Sequence, residues 1–497
     1  MDDNKENQQK NQPFETVVIE DQPKETPTSG NSLPEQNLVP EEVAPDVSSP
    51  EESISSGSNL PPEAPPVFEE NKSQPLFIVG ALVIFLMIFI FIFKLIFSGK
   101  KTAQPVTLNY WGLWEEKEVF EPLIAEYQKK YPYVKINYQK MEPENYREKL
   151  LVRSRNNQGP DIFRFHNTWL PEIKEIASAI PSSIMSNAEF EKTFYKIHQK
   201  DLKVGDKYFG LPLEIDGLVL IYNVNLLKKA GINKPPETWD ELLEVVPKLT
   251  VKDVNGNIVT AGIALGSTVN VEHFSDILAL MIYQNGGDIK KLDSKEAAGA
   301  LESYRKFAEP PNAFWDENMP NSLTAFIQEK VAMIFAPSWH ILTIKSTNPE
   351  IEIKAIPVPS LPGASPVSIA NYWVEGVSKM SRNQIEAWRF LRFLVEKDNL
   401  TKMYELASRN RLFGEPYSRV DLAPLLVQNN YLGAVIKQAD YFVSVPAISR
   451  TFDNGLNDEI VKYLENAINA TIEGVSYNEA LITAKKGVDQ VLQKYRL

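Results

Sequence analysis

From Val106 onward, the sequence alternates between strand patterns and amphipathic helix patterns. Strand patterns at 106–111, 134–139 and 161–165 are separated by helix patterns, one of them at 144–154. The first helix pattern has five apolar residues on one face: Val119, Phe120, Leu123, Ile124 and Tyr127. Successive strand–helix–strand units predict an α/β fold with a mostly parallel sheet covered by helices on both faces.

The charge distribution excludes several classes of function. The chain of 497 residues has a formal net charge of −13, and residues 1–75 hold 16 acidic residues and four lysines, so almost all of the excess lies there. The remainder is nearly neutral and offers no basic surface for nucleic acid. The absence of cysteine excludes disulfides, thiolate nucleophiles and cysteine-ligated metals. Because the four histidines lack metal-ligand spacing, we predict neither a metal nor a cofactor.

The first hundred residues predict a tail, a membrane span and a linker. Residues 1–75 are rich in Glu, Pro, Ser, Asn and Gln, a composition typical of disorder. Residues 76–97 are apolar apart from Lys94, and about 1.5 Å per residue is enough to span a bilayer core as a helix. A linker follows at 98–105. More lysines follow the span than precede it, which favours a cytoplasmic C-terminal side, although long domains translocate largely regardless of charge.

The stretch "KYFGLPLEIDGLVLIYN", from Lys207 to Asn223, places two carboxylates inside an apolar run. Up to Asp216 the apolar and polar residues alternate, and after Gly217 the run is continuously apolar. The pattern fits either a segment between two lobes, with its polar side facing a cleft, or an edge strand with solvated acids. Glu214 is predicted to be the solvated member of the pair.

Several motifs in order resemble one family. Residues 208–243 resemble the core signature of sugar-binding extracellular solute-binding proteins, the family that includes the maltose-binding protein. "GPDI" at 159–162, "VAMIFAPSWHI" at 331–341, "AIPVPSLPG" at 355–363 and "NYWVEGVSK" at 371–379 also match that family. The resemblance covers about residues 106–497. Two departures are the predicted membrane helix in place of a lipidated cysteine, and "IANYW" where many relatives carry a glycine pair.

The resemblance implies a two-lobed periplasmic-binding-protein-like fold of type II with the ligand held between the lobes. Lobe one would comprise 106–215 and 356–405, and lobe two 216–355 and 406–497.

The resemblance also implies a set of ligand-binding residues. A sugar presents hydroxyl groups and an apolar C–H face, so its site needs aromatic rings beside polar side chains. Asp216 resembles the family's hinge-side carboxylate and Trp339 its stacking tryptophan. The other candidates are Tyr372, Trp373, Asn167, Trp169, Trp114 and Glu115.

The predicted function is therefore a monomeric, membrane-anchored extracytoplasmic receptor for a sugar or oligosaccharide. It would serve an importer made of a permease and an ATPase, with the 76–97 helix in the membrane and the tail in the cytoplasm. A tethered glycoside hydrolase using Glu214 and Asp216 is one alternative, since alternate residues of a strand place their side chains about 7 Å apart. A surface adhesin that binds glycan without lobe closure is another.

Overall fold

The computed structural model describes residues 83–90, 104–311 and 313–497. The chain divides into two units, 1–97 and 98–497, which are described separately. In the first unit, residues 83–90 form a helix with exposed apolar side chains. Among the described residues, no helix combines the length and the hydropathy needed to cross a bilayer. The rest of the predicted membrane span, the acidic tail and most of the linker lie outside the described residues.

The described part of the chain contains fourteen strands. In chain order they are β1 (Val106–Gly112), β2 (Val134–Lys140), β3 (Ile162–His166), β4 (Lys203–Val204), β5 (Lys207–Tyr208), β6 (Leu211–Pro212), β7 (Leu218–Asn223), β8 (Val251–Lys252), β9 (Ile258–Ile263), β10 (Val331–Pro337), β11 (Ile353–Ile356), β12 (Ser368–Ile369), β13 (Trp373–Val377) and β14 (Phe442–Val443). The three strands predicted at the start of the domain correspond to β1, β2 and β3, within one residue at each end.

Helices cover both sheets, and two helices in succession form the C-terminal part of the unit. The α-helices of the second unit are Lys117–Lys130, Tyr146–Arg155, Leu170–Ile173, Asn187–Thr193, Lys196–Asp201, Val224–Lys229, Trp239–Leu249, Phe274–Gln284, Lys295–Arg305, Ser322–Ile327, His340–Thr347, Gln384–Leu394, Lys397–Ser408, Ala423–Leu426, Gly433–Gln438, Leu456–Ile472 and Tyr477–Tyr495. Short 3-10 helices are Asn167–Trp169, Ile289–Lys291, Val420–Leu422 and Ala439–Tyr441. The first helix buries the same five residues that its periodicity places on one face.

Two five-stranded sheets form the cores of two lobes. The lobe-one sheet has the order β2-β1-β3-β13-β6, and the lobe-two sheet has the order β11-β7-β10-β9-β8. In lobe one, β1 runs parallel to β2 and β3, whereas β13 runs antiparallel to β3 and β6. In lobe two, β9 and β10 are parallel, and the other three pairs are antiparallel. The prediction of a mostly parallel sheet is therefore wrong. The strands that follow a crossing from the other lobe, β7 and β13, run antiparallel to their neighbours, and β8 forms a further antiparallel pair with β9.

The chain passes between the lobes at neighbouring places. One crossing leads from β6 to β7, and the second leads from β11 to β13 through β12. The third follows β14, which pairs in parallel with β12. Gly217 bridges to Ala370, so the first two crossings touch. A Cβ on Gly217 would lie 2.3 Å from the carbonyl oxygen of Ile369, which explains the glycine at this junction.

The first crossing is buried on both sides. Pro212, Glu214 and Asp216, which alternate with apolar residues and were expected on an open face, are all buried. Ile215 donates its N–H to the carbonyl oxygen of Pro416, and Glu214 forms a bridge with Tyr417. The expectation of a solvated Glu214 is therefore wrong, because a segment some 200 residues later covers the outer face.

Local signals set several helix ends. Thr238 and Glu241 form a complete capping box at the start of the Trp239–Leu249 helix, as their spacing predicts. Ser476 accepts the N–H of Glu479 at the start of the last helix. Gly474, between the two C-terminal helices, has a φ of +94°, which is the left-handed conformation of a helix end.

Candidate functional site

A cavity of about 290 Å³ lies between the lobes. Lobe one contributes Trp114, which follows β1, and Trp373, the first residue of β13. Lobe two contributes Trp339, two residues after β10. The lining residues are Trp114, Glu214, Trp339, Leu342, Thr343, Asn371, Trp373, Arg411, Glu415, Arg450 and Phe452. Three tryptophans that the sequence places on separate elements thus meet at one cavity.

The lobe-one tryptophans form a corner of perpendicular rings. Trp114 and Trp373 have ring centroids 5.4 Å apart with an interplanar angle of 66°. Trp373 is 8% exposed and also contacts the edges of Trp169 and His166, each with centroids 5.2 Å apart. Trp114 is 37% exposed and lies 6.3 Å from Phe452. The corner is therefore rigid at Trp373, while Trp114 keeps much of its surface free for a ligand.

The lobe-two tryptophan rests on a buried histidine pair. The ring of Trp339 lies 3.8 Å from that of His340 at 31°, and it contacts His273 edge-on at 5.9 Å. The Nε2 atoms of the two histidines are 2.7 Å apart. Ser449 donates its hydroxyl hydrogen to Asp276, so its oxygen accepts the Nδ1–H of His273. Burial lowers the pKa of His340 well below its usual value, which keeps the His340 ring beneath Trp339 uncharged.

A buried arginine lies behind the cavity wall and binds three carboxylates. Arg164 in β3 contacts Glu115, lies 3.0 Å from Glu214 Oε2 and lies 3.4 Å from Glu375 Oε1. Glu214 also accepts the N–H of Trp373 at 2.9 Å, which links the charge cluster to the aromatic corner. Carboxyl oxygens of Glu115, Glu214 and Glu415 lie within 4.8 Å of one another. Because Arg164 contacts Glu115 and Glu214, its guanidinium supplies the positive charge that these acids need.

Asp216 lies in the hinge and does not line the cavity. Its carboxylate accepts the N–H of Gly217 at 2.7 Å, and the N–H and hydroxyl of Ser338 at 3.2 and 2.8 Å. Its carbonyl oxygen accepts the N–H of Asn371. Burial raises the pKa of Asp216 to about 7. The three hydrogen bonds favour the ionised form, and they oppose this rise without cancelling it. Asp216 therefore joins two crossings to the residue that precedes Trp339.

Four other predicted residues lie behind the lining. Tyr372 is fully buried and donates to Asp201 at 2.7 Å. Asn167 donates to the same carboxylate at 3.0 Å and to Ser444 at 2.8 Å. Trp169 is 1% exposed and supports Trp373, and Glu115 is held by Arg164. These residues support the cavity through a second layer of contacts.

The sequence does not signal the contribution of the third crossing. Arg450 and Phe452 line the cavity from this crossing, and both have positive φ angles, as does Asn454. Such alternating left-handed residues are uncommon outside glycine and concentrate at functional sites. Arg411 and Glu415, which form an ion pair at 2.6 Å, were also missed. Asn371 is the first residue of the family motif at 371–379, so the sequence identified its neighbourhood but not its role in the lining.

The lining combines aromatic surface with charges that are already paired. Glu214 pairs with Arg164, Glu415 with Arg411, and Arg450 with Glu272. A charged ligand would have to compete with these pairs, whereas a neutral polar molecule can use their free lone pairs and N–H groups. The arrangement suits a neutral molecule with both apolar and hydroxyl surface.

The fold and the interlobe cavity define a binding protein that holds a solute between two lobes. The family model for bacterial extracellular solute-binding proteins matches residues 112–400, and the chain belongs to that family. The multiple sugar-binding protein of Streptococcus mutans is 21% identical, over 62% of this chain and 76% of that protein.

Two solved structures share the fold. A cyclo/maltodextrin-binding protein complexed with maltotetraose aligns with a TM-score of 0.63 at 20% identity, covering 79% of this chain and all but 1% of the other. A Thermotoga lettingae ABC transporter solute-binding protein bound with α-D-tagatose aligns with a TM-score of 0.61 at 22% identity, covering 78% of this chain and 99% of that one. The expectation of a two-lobed binding-protein fold is confirmed.

Proposed function

We propose that this chain is the receptor of an ATP-dependent importer and binds a neutral sugar or oligosaccharide in the interlobe cavity. The observation that carries the proposal is the convergence of Trp114, Trp339 and Trp373 on one cavity of about 290 Å³. The rings would stack on the C–H faces of the sugar, and Asn371 and Arg450 would bond its hydroxyls. The names of several similar proteins, which bind maltodextrins and other sugars, support the same class of solute.

The lobes would close on the solute by hinge motion. The proposed division is lobe one at 106–215 with 356–405 and lobe two at 216–355 with 406–497, except for the segment that directly follows residue 405. The helix Lys397–Ser408 packs against Lys117–Lys130, and Tyr417 and Arg419 bridge to Glu214 and Phe194, so we assign all of 406–422 to lobe one. Asp216 would act as the fixed point of the movement because its carboxylate accepts from Ser338 of lobe two and its carbonyl oxygen accepts from Asn371 of lobe one.

We further propose that a helix at 76–97 anchors the receptor in the membrane, with the acidic tail in the cytoplasm and the binding unit outside as a monomer. The support is the apolar sequence of that segment and the extracellular family to which the chain belongs. Anchoring would raise the receptor's concentration near a permease and its ATPase.

A thermal-shift screen of the full chain tests the function. The panel contains maltotetraose, maltotriose, mannotriose and tagatose, with an inert polyol as the control for excluded-volume effects. Stabilisation by at least one sugar, in a dose-dependent manner, is expected. If none of the sugars shifts the melting temperature, the sugar class is wrong.

The glycoside hydrolase alternative has a specific geometric test. Asp216 lies outside the cavity lining, and the acids that do line it, Glu214 and Glu415, are engaged by Arg164 and Arg411. Hydrolases keep their two carboxyl groups about 5–9.5 Å apart so that the scissile bond fits between them, whereas carboxyl oxygens of Glu214 and Glu415 lie within 4.8 Å of each other. We expect no release of reducing ends when the sugars of the panel are incubated with the chain. Release that Glu214→Gln abolishes would establish the enzyme instead.

A further inference from the structure

Carboxyl groups outnumber guanidinium groups at the inner wall of the cavity. Four carboxyls, those of Glu115, Glu214, Glu375 and Glu415, surround Arg164 and Arg411. The side chains of Arg164, Glu115 and Glu375 are at most 3% exposed, so water cannot screen the difference. Like charges this close in a dry site cannot all be ionised, and some of the carboxyls must keep a proton.

The closest pair at the cavity is Glu214 and Glu415. Their carboxyl oxygens lie within 4.8 Å of each other, and both residues line the cavity. Two carboxylates this close repel each other and offer acceptors alone, so the pair is stabilised when one carboxyl carries a proton. Glu415 is the better anion, since Arg411 lies 2.6 Å from it and its side chain is 24% exposed.

The other groups around this pair do not remove the need for a proton. His198 donates to the carbonyl oxygen of Glu214 at 3.1 Å, and burial lowers its pKa to about 3, so it is neutral. Tyr417 bridges to Glu214 through its backbone, and its raised pKa keeps the phenol neutral. Asp216, two residues along, adds negative charge. Arg450, at the cavity, is paired with Glu272.

The proton affinities of the pair agree with this geometry. Burial raises the pKa of Glu214 to about 8, with Arg164 opposing and Glu415 adding to the rise. Burial would also raise the pKa of Glu415, but Arg411 and Arg164 outweigh it and hold that pKa below its usual value. The proton therefore resides on Glu214.

We propose that Glu214 and Glu415 share one proton at the cavity wall and that solute capture is linked to this proton. The inference rests on the proposed function of the cavity. A neutral solute displaces the water that faces Glu214, which disfavours a second negative charge there. The solute-bound form therefore keeps the proton, and above the titration point of the pair binding takes up one proton from solvent.

The first experiment needs no solute. Infrared difference spectra of the full chain are recorded between pH 6 and pH 9.5, and they report the carbonyl stretch of protonated carboxyl groups. As the pH rises, wild type is expected to lose one carbonyl band of a protonated carboxyl group near pH 8. Glu214→Gln should lack this band at every pH. If the spectra of wild type and Glu214→Gln are the same, Glu214 carries no proton and the proposal is overturned.

A second variant keeps the test valid if Glu214→Gln does not fold. Glu415→Gln changes a side chain at the rim of the cluster, so it is the milder substitution. Removing the negative neighbour is expected to shift the band of Glu214 to lower pH. An unchanged midpoint contradicts a shared proton.

The second experiment measures the linkage by calorimetry with maltotetraose, or with another sugar of the screen that binds. Wild-type affinity is expected to weaken above pH 8 by up to about tenfold per pH unit, the limit for one linked proton. Glu214→Gln should not show this weakening between pH 8 and pH 9, where Asp216 is already ionised. Glu375→Gln is the matched control, since Glu375 contacts the same arginine away from the cavity, and it should keep the pH dependence. A wild-type affinity that does not change with pH overturns the linkage, whereas failure of every sugar to bind overturns the proposed function and leaves the infrared result to decide on the proton.

Discussion

Replacing Trp114 by alanine tests the aromatic corner with little damage to the fold. Trp114 is 37% exposed and follows β1 on a loop; its ring meets Trp373 edge-on and Phe452 at a tilt of 46°. A tryptophan presents up to about 250 Å². The exposed part of Trp114 is therefore about 90 Å² of surface that a bound sugar can cover.

At about 25 cal/mol per Å², covering that surface contributes about 2 kcal/mol. Trp114→Ala is thus expected to weaken binding, with an increase of about 30-fold in Kd. Calorimetry with maltotetraose, or with the sugar that stabilises the chain most, measures this loss. The stability cost should be smaller than for a core tryptophan, because aromatic pairs such as these two ring contacts are worth about 0.5–1.5 kcal/mol each.

Trp388→Phe is the matched control in the same lobe. Trp388 is fully buried and donates its ring N–H to Ser178 at 2.9 Å, away from the cavity lining. This variant should lower the melting temperature without changing Kd, because it loses a buried hydrogen bond and ring volume. The reasoning about the corner is refuted if Trp114→Ala binds as tightly as wild type, or if the two variants lose stability and affinity in the same proportion.

Three further outcomes are expected. Asp216→Asn should weaken sugar binding by about 1–3 kcal/mol, because the charge-assisted bonds to Ser338 and Gly217 are lost, and an isotherm identical to that of wild type would remove Asp216 from the hinge role. Gly217→Ala should lower the urea midpoint strongly, since the added Cβ would lie 2.3 Å from a backbone oxygen; a midpoint within error of wild type would show that the crossing can relax. Burial lowers the pKa of His198 to about 3, so the unfolded chain binds a proton there first and stability falls as the pH drops below about 6.5. Between pH 7 and pH 4.5, the free energy of unfolding measured by urea titration should therefore fall by about 3 kcal/mol less for His198→Gln than for wild type. Equal decreases would contradict a neutral buried imidazole.

Local sequence determined the elements of this protein. The apolar spacing of the first helix identified all five of its buried residues, and the Thr238–Glu241 spacing identified a complete capping box. These features depend on side chains within one or two turns of one another, so their physics is contained in the sequence itself. The motifs of the resemblance placed Trp114, Trp339 and Trp373 at element ends, and the structure brings them to one cavity.

Tertiary contacts decided which acids reach that cavity. Alternation along one strand cannot show that Pro416 and Tyr417 cover the outer face of Glu214, or that Ser338 engages Asp216. As a result Glu214 lines the cavity and Asp216 holds the hinge, the reverse of what the sequence favoured. Pro416 and Tyr417 lie about 200 residues after Glu214 along the chain, and Ser338 lies 122 residues after Asp216. The burial and charge of each carboxyl are therefore set by the packing of distant segments, which local periodicity does not encode.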